Sequence, residues 1–402
     1  MTLHRSSIRL ARSEAGFTII EMMVATAIMM AVTGAVFTLM NPAQGNFQSQ
    51  PEMSDMQQRM RVGVDTLRKD LVMAGAGSYV GAGAGALYNY FAPVMPYRNG
   101  DVDADQPKGI FYRPDAISIL YVPPTPAQTT ISDAMPQTSA ELKVNAQLNC
   151  GPDQKDALCG FDDGMRVILF DTSGNWDTMT ITEVQDAALH LQHNQDKLSA
   201  SYGAGSNITQ VAMHTYYYDA TKLQLMHYDG YQTDMPVLDN VVRMQFEYFG
   251  DPEPPRLLPN AVLSSAVGPW TTYGPKPPAI GAASNTAYGP GANCAFQIVD
   301  GAQVPRLEQL NGGGVAQVPL APGIFQDGPF CPDDTKVYKF DADLLRIRRV
   351  RVHLRVQVGL PTLRGTDPFL WMKRGTSRTS NRLVPDQEIH FDITPRNMNL
   401  GR

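Results

Sequence analysis

Charge is scarce in this sequence: Asp, Glu, Lys and Arg fill 18% of 402 positions, against 43% apolar residues. That balance supplies a substantial core and excludes a wholly disordered chain. Cysteine is scarcer still. Four residues are too few for a disulfide-dense scaffold, and no C-x-x-C spacing supports a zinc or thioredoxin-type reading. There is no G-x-S-x-G, no H-E-x-x-H and no P-loop, so an enzyme, membrane-anchored or otherwise, has no motif behind it. A positive net charge is also missing. The formal value of −6 argues against a generic nucleic-acid coat. Gly (34) and Pro (30) are plentiful, which points to turns and long loops rather than a helical bundle.

Two asymmetries stand out against this background. Residues 336–402 carry 14 Lys/Arg against 6 Asp/Glu, whereas residues 17–335 carry 16 against 32. After Glu21 no charged residue occurs until Glu52, and Met22–Met40 is almost entirely apolar. Residues 1–16 hold Arg5, Arg9 and Arg12 opposed only by Glu14. A helix over 17–40 would span about 36 Å, enough for a bilayer core of ~30 Å. The basic flank comes first, so it stays cytoplasmic and the bulk of the chain crosses. A secretory signal peptide fits poorly, because the run is long and no A-x-A site closes it. A plain signal anchor leaves Glu21 unexplained, since a carboxylate in an apolar segment is costly.

The order Gly16-Phe17-Thr18-Ile19-Ile20-Glu21 resembles the type III signal of type IV prepilins. The resemblance implies cleavage between Gly16 and Phe17 by a prepilin peptidase and methylation of Phe17. It implies that residues 1–16 are a leader and that Glu21 serves assembly. One turn after the new terminus, its carboxylate is placed to neutralise a neighbouring subunit's ammonium in a dry core. The partners implied are other minor pilins, the major pilin and the inner-membrane assembly platform. The implied location is the bacterial inner membrane, single-pass, with a periplasmic globular part and incorporation at or near the pilus tip.

Further along, Asn41-Pro42 is expected to break or kink the helix near 41–51. Helical periodicity then returns: Met53, Met56, Met60, Val64, Leu67 and Leu71 share one face, with Arg59, Arg61, Arg68, Lys69 and Asp70 off it. Gly75 ends the helix, and the low-complexity run 75–85 reads as a flexible loop rather than a nucleotide-binding fingerprint. Strands are expected at Ala116–Val122, Met165–Phe170, Met179–Val184, Ile208–Tyr218, Val241–Phe249 and Glu388–Thr394. A hairpin joins Met213–Tyr218 to Leu223–Tyr228. Val350, Val352, Leu354, Val356 and Val358 alternate with Arg351, His353, Arg355 and Gln357; Ile347 is out of register, which predicts a bulge near Arg348-Arg349. Residues 251–335 are rich in Pro and Gly and read as one long insertion rather than a second core.

The fold class expected is therefore α+β, pilin-like: a long N-terminal helix over 17–75, transmembrane then amphipathic, packed on a mainly antiparallel sheet within 76–402. The 243–248 strand, the Arg/Val strand, the 60–75 helix end and the closing Thr394-Pro395-Arg396-Asn397-Met398-Asn399-Leu400 are similar to PilW-type minor pilins. That similarity implies a part in priming or capping a type IV pilus. Two other readings share the N-terminus: a J-type minor pseudopilin of type II secretion, and a tip adhesin binding through 251–335.

The remaining sites are weaker. In an oxidising compartment, Cys150–Cys159 and Cys294–Cys331 are the natural loop-closing disulfides. Asp101, Asp103 and Asp105 have the opening spacing of an EF-hand, but Gln106 stands where Gly is needed and Tyr112 where Glu is needed. A solvated acidic turn is favoured over calcium, and no cofactor is expected. His190 and His193 lack a third metal ligand. Arg346, Arg348, Arg349, Arg351 and Arg355 are expected to pair with carboxylates of the same subunit or a neighbour rather than with DNA.

Overall fold

The computed structural model describes residues 16–76, 91–97, 111–125, 127–147, 150, 157–171, 175–193, 198, 200–230, 233–258, 270–282, 287–311, 316–336, 339–364 and 383–399. The acidic turn expected at Asp101, Asp103 and Asp105, and most of the 75–85 loop, lie outside the described residues. The chain divides into two compact units: Met1–Asp55 with Leu360–Pro385, and Met56–Gly359 with Asp386–Arg402.

The helix is α1 (Ile19–Met73). It runs unbroken through Asn41-Pro42, which corrects the break expected at Pro42. Proline removes one backbone donor and crowds the carbonyl four residues before it, a local cost that a 55-residue helix can absorb. In the first unit, Glu52 Oε2 accepts the Leu360 N–H (3.3 Å) and the Val384 N–H donates to the Leu363 carbonyl (2.9 Å).

The second unit holds the strands. In chain order they begin with β1 (Val94–Met95) and β2 (Ala116–Tyr121). Then come β3 (Gln128–Thr130), β4 (Glu141–Lys143), β5 (Arg166–Phe170), β6 (Trp176–Gln185), β7 (His190–His193) and β8 (Asn207–Gln210). Next are β9 (Ala212–Asp219), β10 (Gln224–Tyr228), β11 (Asp234–Asp239) and β12 (Val241–Gly250). The Pro/Gly-rich stretch contributes β13 (Leu257–Leu258), β14 (Trp270–Thr271), β15 (Phe296–Val299), β16 (Ala302–Pro305), β17 (Val318–Leu320) and β18 (Phe330–Cys331). The chain closes with β19 (Phe340–Asp341), β20 (Ile347–Val356) and β21 (Gln387–Ile393). Every strand pair among the described residues is antiparallel.

The C-terminal half of α1 lies on a five-stranded sheet ordered β1-β2-β9-β10-β11. Met56, Leu67 and Leu71 of the expected apolar face are buried, and Arg61, Arg68 and Lys69 are exposed. Burying each such Leu removes apolar surface worth about 1.5–3 kcal/mol. Gly63 lies against Leu238 of β11, Asp70 meets Tyr216 of β9, and the Gly75 N–H donates to Leu120 of β2 (3.0 Å). The helix therefore crosses the sheet from one edge toward the other. Gly75 stops it with φ +70, a left-handed C-terminal geometry that costs glycine least.

A single strand over Ile208–Tyr218 does not form. The chain leaves one sheet at Val211 and enters another, so β8 and β9 belong to different sheets. Residues 127–211 build a six-stranded sheet ordered β3-β8-β5-β6-β7-β4, inserted between β2 and β9. It buries its own cluster, including Leu142, Val167, Leu169, Leu191 and Tyr202. This is a second core, where the sequence pointed to only one region of excess length.

β12 forms the third sheet, ordered β17-β12-β20-β21. Val350, Val352, Leu354 and Val356 are buried on one face of β20. The expected bulge is present: Phe249 pairs with Arg349 but Gly250 pairs with Ile347, leaving Arg348 as the extra residue. A Cβ at Gly250 would overlap the Arg346 carbonyl, so this crossing requires glycine. The 251–335 stretch is woven into the same body. It supplies β17 to the sheet and buries Tyr273, Phe296 and Phe325.

Candidate functional site: the N-terminal segment and the arginine strand

Gly16 and Phe17 lie just ahead of α1. A Cβ at Gly16 would meet nothing within 4 Å, and Phe17 is 85% exposed. Glu21 Oε2 accepts both the backbone N–H and the hydroxyl of Thr18, each at 2.9 Å, and the Glu21 N–H returns to Thr18 Oγ1 at 3.3 Å. This is a capping box, in which Thr and the Glu three residues on satisfy orphan donors at a helix start. The T-x-x-E spacing was legible in the sequence, and Thr18 was the residue overlooked. The box fixes the helix start within two residues of Phe17.

From Ile19 to Leu39 the helix is apolar and wholly exposed over 21 residues, about 31 Å at ~1.5 Å per residue. Two of its hydroxyls bond within the segment: Thr26 donates to the Met22 carbonyl (2.7 Å) and Thr38 to the Ala35 carbonyl (2.8 Å). That is what a helix surrounded by hydrocarbon requires. Among the described residues nothing covers Phe17, Ile20, Met23, Met30 and Phe37, so the segment is suited to lipid or to other helices.

The arginine strand is occupied by acids of the same chain. Arg346 Nε is 2.5 Å from Asp343, and its other nitrogens donate to the carbonyls of Asp251, Pro252 and Glu308. Arg348 reaches Asp251 at 3.0 Å. On the opposite face Arg349 and Arg351 share Asp392 (3.1 and 2.6 Å), and Arg355 pairs with Asp386 at 2.8 Å. The hydrogen bond from Arg351 holds the Asp392 carboxyl below its usual range. Alternation set the outward arginines; the buried pair, Arg346 and Arg348, arises from the 3-10 turn at Ala342–Arg346 and the bulge.

Cys150–Cys159 and Cys294–Cys331 are bonded, at S–S distances of 2.02 and 1.96 Å. The second bond ties the β15 region to β18. His190 and His193 are not brought together. They sit on opposite faces of β7, with His190 paired to Glu141 and His193 buried. Burial lowers the His193 imidazole below its ordinary value.

Comparison with protein families matches residues 11–37 to the prokaryotic N-terminal methylation motif. No curated protein and no solved structure matches the chain. The matched segment covers Gly16, Phe17, Glu21 and most of the apolar helix. The prepilin-type motif supports a type IV pilin-like or pseudopilin-like protein, and an apolar N-terminal helix followed by mainly antiparallel sheets makes the fold α+β. The motif points to a structural protein rather than an enzyme. It implies processing by prepilin peptidase, assembly with other pilins and a membrane anchor bearing a periplasmic globular part.

Proposed function

We propose that this chain is a minor pilin of the PilW type, priming or capping a type IV pilus with other minor pilins. The observation that carries the reading is the N-terminal segment. Gly16 and Phe17 are exposed, Glu21 sits in the first turn, and an uncovered apolar helix follows. Residues 1–16 are the leader, and Phe17 becomes the methylated terminus of the mature subunit. On removal of the leader, the Phe17 ammonium and the Glu21 carboxylate supply opposite charges one turn apart. Between neighbouring subunits, each offsets the other's cost in an apolar core.

The globular part has the proportions of a specialised subunit, because two extra segments, 127–211 and 251–335, enlarge the basic helix-on-sheet plan. The test is a deletion strain scored for surface pili and for enzyme secretion. Loss of pili with secretion intact is expected. Loss of secretion with pili intact would overturn the reading and assign the chain to the J-type pseudopilins.

A further inference from the structure

Where α1 crosses the five-stranded sheet, three side chains from three elements converge: Asp70 of α1, His214 of β9 and His227 of β10. His214 Nδ1 and His227 Nε2 are hydrogen-bonded at 2.7 Å. Asp70 Oδ2 is 3.7 Å from His214 Nδ1, and the three donor atoms all lie within 4.8 Å of one another. The register produces this meeting. His227 stands opposite Tyr216, and His214 is two residues before Tyr216 on the same face. The two imidazoles therefore lie on a diagonal, stacked at 5.0 Å between centroids. Asp70 arrives from the helix above.

We propose that Asp70, His214 and His227 form a binding site for a divalent first-row transition ion, with Zn2+ the best fit. Two imidazoles and a carboxylate are the donor set of such ions, and three protein ligands leave a position for water or a fourth group. Tetrahedral bonds of ~2.0–2.1 Å place donor atoms ~3.4 Å apart, and the two spacings of 2.7 and 3.7 Å bracket that value. The outer contacts are those that hold ligands in place. Tyr216 donates its hydroxyl to Asp70 Oδ2 at 2.6 Å, using one of that oxygen's lone pairs. Tyr121 Oη is 3.2 Å from His214 Nε2, the nitrogen facing away from the cluster. With the His214 proton on Nε2 toward Tyr121, Nδ1 accepts from His227 Nε2–H; a bound ion replaces that one proton and takes both lone pairs, since ligation is by neutral imidazole. The Asp70 and His214 side chains are 10% and 22% exposed, so the site is enclosed but reachable. A bound ion would staple the end of α1 to the middle of the sheet, and its binding energy would add to folding stability.

The experiment uses the full-length, detergent-solubilised protein, stripped with chelator and dialysed against Zn2+. Metal content is read by elemental mass spectrometry and thermal stability by Tm. The expected result is about one Zn2+ per chain and a raised Tm. H214Q and H227Q should lose the zinc, and H190Q, which alters a histidine of another sheet, should keep it. D70N preserves the shape of the side chain and an acceptor for Tyr216. It therefore separates loss of the ligand from loss of the fold, and should weaken binding by at least about tenfold. A parent protein that takes up no zinc overturns the site. So does retention of the parent's zinc and Tm shift by D70N and H227Q, or an equal response to Ca2+.

Discussion

Asp341 shows how far a single residue departs from its sequence appearance. It is fully buried, and burial lifts its carboxyl from 3.8 to about 7, although it accepts N–H groups of Gly328 and Asp343 that favour the charge. Asp343, paired with Arg346, is lifted to about 6. The folded protein thus holds protons that the unfolded chain releases above pH ~4. The contribution of these groups to stability is fullest below that pH and is lost as pH rises toward about 7. Asp341→Asn should flatten the dependence, by on the order of a few kcal/mol between pH 5 and 8. Denaturant unfolding at both pH values reads this directly, and parallel curves for parent and variant would contradict it. The arginines make a second contrast. Asp251→Ala takes the carboxylate from the buried Arg348 guanidinium and should cost about 3–5 kcal/mol. Asp392→Ala removes only the partner of half-exposed Arg349 and Arg351 and should cost under about 1 kcal/mol. Equal costs would refute the assignment of Arg348 to the core. Sequence alternation could not separate these two classes, because the bulge at Arg348 reverses which face its side chain takes. Asp70 was misread for a related reason. It lies off the Met/Leu stripe, yet three residues after Leu67 it still meets the sheet, where a buried polar group needs the partner that Tyr216 supplies.

At the scale of elements, the long helix was the most legible part, because its apolar run and its 3/4 spacing are strong, local signals. Its continuity through Pro42 was not, since proline's propensity is a local cost that the surrounding turns outweigh. β12 and β20 were legible to within a residue or two because half-buried strands alternate cleanly. In the six-stranded sheet of 127–211, β5 and the middle of β6 were legible as Met165–Phe170 and Met179–Val184; the sheet they join was not, because β3, β4, β7 and β8 run only three or four residues and the pairing joins distant residues such as Ile168 and Thr209. The disulfides act on these loops in proportion to what they close. Cys294–Cys331 spans 37 residues and Cys150–Cys159 spans 9. Loop entropy then predicts losses of about 4 and about 3 kcal/mol for the respective Cys→Ser pairs. Thermal unfolding of each pair variant checks the order, and the reverse order would contradict it. Deleting 251–335 outright would be a poor test of a binding role. Its backbone carbonyls at Pro252 and Glu308 hold the buried Arg346 guanidinium, so the core would fail with it.

At the scale of the whole molecule, one short segment governs the fate of the rest. The apolar helix is uncovered among the described residues, and the capping box at Thr18 and Glu21 fixes its start beside Phe17. On the proposed reading, the subunit is cut at its membrane face before its terminus enters a helical assembly. Gly16→Leu should therefore leave an uncleaved, longer membrane protein, visible as a slower band on immunoblots; a band of mature size would contradict it. Glu21→Ala should permit insertion and cleavage but reduce recovery of the subunit with sheared pili. Recovery equal to the parent's would remove the charge-pairing role. The most direct measurement is mass spectrometry of the mature N-terminus. The account predicts a chain that begins at Phe17 carrying one methyl group on its amine. A chain that begins at Met1, or at a residue beyond the apolar helix, would contradict it.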